Sequence, residues 1–146
     1  MKILFLFLAI LFLGTGCKTA AVAQNNEKAY TIGVSFNSIC CGPPSEEFLK
    51  TFVKDFNRSE KIKITADKIA GCGREGEYVI LFNTGKLKAA TRTKFIAGLE
   101  KIVPLQEIKN KKADSSSGGV QLLHDVKSSA YGHCRISSQN WAYEKS

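Results

Sequence analysis

The sequence predicts an α+β domain of two layers, an antiparallel sheet with two helices on one face, in the order βαββαβ. Three observations predict it. Short stretches at 30–36, 61–66 and 120–126 alternate residue character with the two-residue period of a strand, and 78–82 is a continuous apolar run. Two longer stretches between them repeat their apolar residues every three or four positions, which is the period of a helix with one buried face. The chain without its leader has enough residues for one domain with a real core, and nothing in it repeats.

The elements follow in order. Residues 30–36 (YTIGVSF) read as the first strand, and Gly42-Pro43-Pro44 ends that run. Ser45 then offers an N-cap, with Glu46 and Glu47 as the acids of a first turn. The helix beyond places Phe48, Leu49, Phe52, Val53 and Phe56 on one face, and Asn57-Arg58-Ser59 is its expected end. Residues 61–66 (KIKITA) alternate strictly, with Ile62, Ile64 and Ala66 inward. Gly71-Cys72-Gly73 and Gly76 form a turn, and 78–82 (YVILF) reads as a central strand covered on its flanks.

A second helix is expected over 87–103, with Leu87, Ala90, Phe95, Leu99 and Ile102 inward, Lys88, Arg92, Lys94 and Lys101 outward, and Pro104 as its stop. Residues 105–119 read as a polar connector. The alternation of Val120, Leu122, His124 and Val126 gives the fourth strand, and 131–137 a further one. This order resembles the ferredoxin-like domains, whose split β-α-β topology implies parallel first and second strands. That topology would carry Cys40, Cys41 and Cys72 to one edge of the domain. A thioredoxin-like α/β fold is the alternative.

The first 23 residues read as an export signal. Lys2 precedes an apolar run over 3–13, and small residues follow. The run is too short to span a bilayer, which takes about 20 residues. Two cleavage routes are open. Leu13-Gly14-Thr15-Gly16-Cys17 resembles a bacterial lipobox, with Cys17 lipidated and 18–28 as a tether. Ala21-Val22-Ala23 is a good site for cutting before Gln24, which leaves 24–29 as the tether to a single domain over 30–146. Both routes place the domain in the cell envelope, on the membrane face or in the periplasm.

Loss of Lys2 and Lys18 lowers the net charge from +8 to +6. A basic surface favours anionic partners. The lysines and arginines are scattered, however, and not gathered with aromatic residues, so no nucleic acid is expected. The expected partners are the membrane, through the lipid, and an envelope protein or an anionic ligand. No motif calls for a cofactor.

Apart from Cys17, four cysteines remain: Cys40, Cys41, Cys72 and Cys134. An even number in an exported chain predicts two disulfides. A bond between Cys40 and Cys41 would strain the ring across one peptide unit. The expected pairings are therefore 40–72 with 41–134, or 40–134 with 41–72. On this reading the domain is a stapled binding or structural module and not an enzyme. A binding module should also show an exposed apolar patch away from the cysteines.

Two further chemistries are legible at the same cysteines. Ile39-Cys40-Cys41-Gly42-Pro43-Pro44 resembles the Cys-Gly-Pro-Cys active site of thioredoxin-like proteins, with Pro44 where that motif has its second cysteine. The resemblance implies Cys41 as nucleophile near helix amides, resolved by Cys40 or Cys72. Small metal-carrying domains of the ferredoxin-like fold place Cys-x-x-Cys in this loop, which suggests Cys40, Cys41 and Cys72 as a soft-metal set. Elsewhere the chemistry is thin. His124 is expected to be partly buried, His133 lies beside Cys134, Glu75 and Glu77 flank a turn, and Trp141 and Tyr143 are expected to cover the sheet edge.

Overall fold

The computed structural model describes residues 27–113 and 118–143. The signal segment, both cleavage sites, Cys17 and most of the tether lie outside the described residues. Five strands and two helices follow one another as β1 (Ala29–Phe36), α1 (Glu47–Glu60), β2 (Ala66–Ala70), β3 (Tyr78–Phe82), α2 (Ala89–Ala113), β4 (Val120–Lys127) and β5 (Ile136–Asn140). The sheet order is β4-β1-β3-β2-β5. Every neighbouring pair is antiparallel, so the molecule is an α+β two-layer sandwich, and the thioredoxin-like alternative is corrected.

Both faces of the sheet bury apolar surface, and they do so differently. On the helix face Ile32, Val34, Phe36, Ile80 and Phe82 meet Leu49 and Val53 of α1 and Phe95, Leu99 and Val103 of α2. Phe95 sits among Phe52, Phe56 and Phe82, with ring centroids 5.1–5.5 Å apart, stacked on the first and edge-on to the other two, arrangements favourable to aromatic quadrupoles. On the back face a smaller core forms from Tyr30, Ile69, Val79, Leu81 and Val126. No helix covers it. Instead the chain leaves β4 at one edge and returns as β5 at the other, through a single 3-10 turn (Ser128–Tyr131). Tyr131 and Cys134 pack on the back-face core along the way.

Several sequence expectations shift in register. The alternation over 61–66 holds in burial, with Ile64 and Ala66 inside and Lys61, Lys63 and Thr65 outside. The hydrogen-bonded ladder nevertheless begins only at Ala66, because the period describes an extended chain whether or not a neighbour pairs with it. Lys61 in the left-handed region closes α1, and its N–H bonds to Asn57 O. In β4 the alternation breaks at Asp125, whose φ is 49°. Leu122 therefore faces the helices while Val126 faces the back core. His124, expected to be partly buried, is instead exposed and lies 4.0 Å from Glu100.

Pro104 does not stop α2, which continues to Ala113. An internal proline costs a helix about 3 kcal/mol, and tertiary contacts offset that here. Val103 is buried in the main core. One turn beyond Pro104, Glu107 accepts the Val120 N–H at 2.6 Å and pairs with Lys111 at 3.0 Å. Residues 105–113 of the segment read as a polar connector are therefore a helical strut that positions the start of β4.

Candidate functional site

β1 and β2 both run antiparallel to β3, so the loop after β1 and the β2–β3 hairpin lie at one end of the sheet. Here the cysteines separate. Cys72 bonds to Cys134 with a Cα–Cα distance of 4.1 Å and a sequence separation of 62. Neither expected pairing occurs. The return of the chain across the back face brings Cys134 to the hairpin, and Arg135 N bonds to Gly71 O at 3.2 Å beside it. The sequence gives no signal for that crossing. The bond pins the crossing segment to the sheet, and in the chain-entropy account closing so long a loop contributes about 4 kcal/mol.

Cys40 and Cys41 stand apart from this staple, exposed at the tip of the loop over 37–46. The Cys41 thiol points at the Cys40 sulfur, 3.1 Å away. Cys41 takes the left-handed φ of 67° and Gly42 follows at 96°. Nothing within 4 Å of Gly42 would meet a Cβ, so backbone conformation and not space requires glycine there. Both flanks of the loop are anchored. Asn37 N bonds to Gly119 O at 2.9 Å, the Ser38 hydroxyl donates to Cys40 O at 3.1 Å, and Tyr78 OH donates to Pro44 O at 3.5 Å. The rigid sheet thus presents a short, turned tip. Ile39 beside it is 71% exposed.

The helix-dipole activation implied by the thioredoxin-like resemblance does not apply. α1 opens at Glu47, and Gly42, Pro43, Pro44, Ser45 and Glu46 intervene, whereas the dipole acts within the first turn. Ser45 is not the N-cap. Glu46 occupies that position, and Ser45 Oγ only accepts the Glu47 N–H at 3.3 Å. Cys72, held by Cys134, is not available as a resolving thiol or as a third metal ligand. Among the described residues no group of three or more His, Cys, Asp or Glu side chains gathers as a metal set.

Behind the loop lies a charged cluster that sequence reasoning missed. Glu46 is largely buried and pairs with Lys68 at 2.8 Å and Lys50 at 3.1 Å, and it accepts the Trp141 indole N–H at 3.2 Å. Burial works to raise its pKa, but these partners outweigh it and hold the carboxyl below its ordinary value. Lys68 also lies 3.8 Å over the Tyr78 ring. Burial, then the Glu46 charge, pushes the Tyr78 hydroxyl up. Trp141 and Tyr143 do not merely cover an edge. Both belong to the main core, and Trp141 meets Phe82 edge-on at 5.9 Å. The only sequence signal for the cluster was Glu46, legible as a first-turn acid.

The opposite end of the sheet holds a cleft of about 530 Å³ whose lining includes Tyr30, Lys63, Thr65, Asn83, Thr84 and Lys86. Arg92, expected to face solvent, folds back and donates to the carbonyls of Thr84, Gly85 and Leu87, which fixes the turn beside the cleft. Thr84 is 1% exposed, and its hydroxyl has no hydrogen-bond partner among the described residues. The Asp67 carboxylate accepts from Tyr30 OH at 2.6 Å and from Asn83 Nδ2 at 3.3 Å. Burial opposes the Asp67 charge, but Tyr30, Asn83 and Lys28 hold its pKa below the usual range. Neither Lys63 nor Lys86 makes an ion pair among the described residues.

A third surface is apolar. A groove of about 320 Å³ between α1 and α2 is lined by Phe48, Phe52, Ile102 and Leu105, among others. Leu105 and Ile108 are half exposed nearby. His133 Nε2 lies 3.9 Å from Cys134 Sγ, but that sulfur is already bonded. The Glu77 carboxylate accepts Glu75 N–H at 3.0 Å within the hairpin.

No family model, characterised protein or solved structure matches this chain. The disulfide suggests an oxidising environment of the kind an exported chain meets. Among the described residues no helix is long and apolar enough to cross a membrane.

Proposed function

We propose that this chain is a binding module of the bacterial cell envelope, held at the membrane by a lipid on Cys17, that takes an anionic group in the Lys63–Lys86 cleft. One observation carries the binding site. Among the described residues, two lysines without ion-pair partners line a cleft whose wall also holds the buried Thr84 hydroxyl, unpartnered there. A carboxylate or phosphate supplies the acceptors that two ammonium groups lack, and a net charge of +7 on the chain from Cys17 onward, which loses only Lys2 from the +8 total, favours its approach. The anchor rests on Cys17 following an apolar run with small residues between, and on the disulfide, which calls for an oxidising compartment.

Two measurements test the reading. Intact mass of the exported protein should show a lipid-sized increment on a chain starting at Cys17. A chain starting at Gln24 removes the anchor. Added inorganic phosphate or citrate, at constant ionic strength, should raise the thermal midpoint, and Lys63→Ala with Lys86→Ala should abolish the rise. A rise that survives the double variant, or no rise at all, overturns the binding site.

A further inference from the structure

We propose that Cys40 and Cys41 form a two-electron couple, a vicinal dithiol that exchanges with accessible disulfides and closes on itself as a disulfide. This does not depend on the anchor or on the anionic cleft. Three observations carry it. The two sulfurs already face each other at 3.1 Å, so bond formation needs about 1 Å of approach to reach the S–S length of about 2.05 Å. Both residues are exposed at the tip of a loop, so a disulfide of another molecule can reach them. The other two described cysteines are bonded to each other, so exchange at Cys40 and Cys41 can proceed with that staple intact.

The backbone adds a fourth observation. Lys61 and Asp125 take positive φ where a helix ends and where a strand changes face, but Cys41 does so at neither. A non-glycine residue in that region is disfavoured by the clash of its Cβ with the backbone, and such outliers concentrate where geometry serves chemistry. The loop flanks, fixed through Asn37 and Pro44, keep that turn in place while the sulfurs react.

The reaction balances without any cofactor. One thiolate of the pair attacks a sulfur of the partner disulfide. A mixed disulfide forms, and the partner's other sulfur leaves as a thiolate and takes a proton. The second sulfur of the pair, its proton lost to solvent, then attacks its bonded neighbour. The Cys40–Cys41 bond forms, the mixed disulfide breaks, and the partner leaves with both sulfurs as thiols. Two electrons and, in net, two protons pass from the pair to the partner. The small ring across one peptide unit makes the closed form easily reduced, so the step runs in either direction with the partner's potential.

The test uses the exported chain with its disulfide intact. It is equilibrated in glutathione buffers of graded ratio, quenched in acid, tagged with an alkylating reagent and weighed. The wild type should gain or lose two tags at Cys40 and Cys41 in a single transition, with no persistent glutathione adduct and with Cys72–Cys134 untouched. Cys40→Ser and Cys41→Ser should each trap one glutathione adduct, because the resolving sulfur is gone. The proposal is overturned if both wild-type cysteines carry separate adducts, or if the pair stays closed in the most reducing buffer. Retention of the Cys72–Cys134 bond in both variants reports that they fold.

Discussion

The two cysteine pairs of this domain are chemically identical and physically opposite. Cys72 and Cys134 lie 62 residues apart in sequence, half-buried on the back-face core, and their bond straps the return from β4 to β5 onto the sheet. Cys40 and Cys41 are neighbours at an exposed tip. Cross-linking a long loop removes much of the freedom of the unfolded chain, whereas closing a ring over one peptide unit removes almost none. One pair therefore contributes to folding. The other can open and close while the fold scarcely responds, which is the property a reactive couple needs.

The contrast is open to direct attack, and the largest effect belongs to the staple. Replacing Cys72 and Cys134 together by alanine should lower unfolding stability by about 4 kcal/mol, read from the denaturant midpoint. A loss under about 1 kcal/mol would mean that the strap stays down through Tyr131 and the back-face contacts alone.

Next comes the charged cluster behind the cysteine loop. Glu46→Gln leaves Lys68 and Lys50 without their shared anion, and about 2–3 kcal/mol should be lost at neutral pH. The pH dependence has a definite sign. Glu46, Asp67 and Glu107 all have folded pKa values below their unfolded ones. Their contribution is complete above the unfolded carboxylate values of about 4 and is lost as pH falls through the lower folded values. Unfolding curves between neutral and acid pH should be shallower for Glu46→Gln than for wild type, and parallel curves would contradict this assignment.

Gly118→Ala tests how the loop is held. A Cβ at Gly118 would overlap the Asn37 carbonyl, which is backbone and cannot rotate away. About 2 kcal/mol should be lost. Amide exchange at Asn37, whose N–H bonds to Gly119 O, should speed up beyond the global change. Smallest of all, Cys40→Ser and Cys41→Ser should each stay within about 0.5 kcal/mol of wild type in the same denaturation experiment. A loss as large as that of the staple would erase the distinction between the two pairs.

Much of this was legible from the chain. The helix face of α1, the continuous burial of β3 and the alternation over 61–66 were all written as local periods, because burial on one side imposes 3.6 or 2 on any sequence that folds this way. The parallel sense of β1 and β2, and with it the shared end of the cysteine loop and the hairpin, followed from element order alone. The misses also share a cause. Pro104 looked like a stop because helix propensity is local, while Val103 and Glu107 hold the helix together through contacts made elsewhere. Arg92 looked like a solvent-facing residue because a period cannot show that a long side chain doubles back onto carbonyls.

By itself the sequence determined the two-layer class and the faces of the elements. All of these depend on residues within a turn or two of one another. Only the tertiary structure decided that Cys72 meets Cys134, that Cys40 and Cys41 face each other, and that Lys63 and Lys86 line one cleft. Disulfide pairing depends on where a distant segment crosses the sheet, and no local period records a crossing.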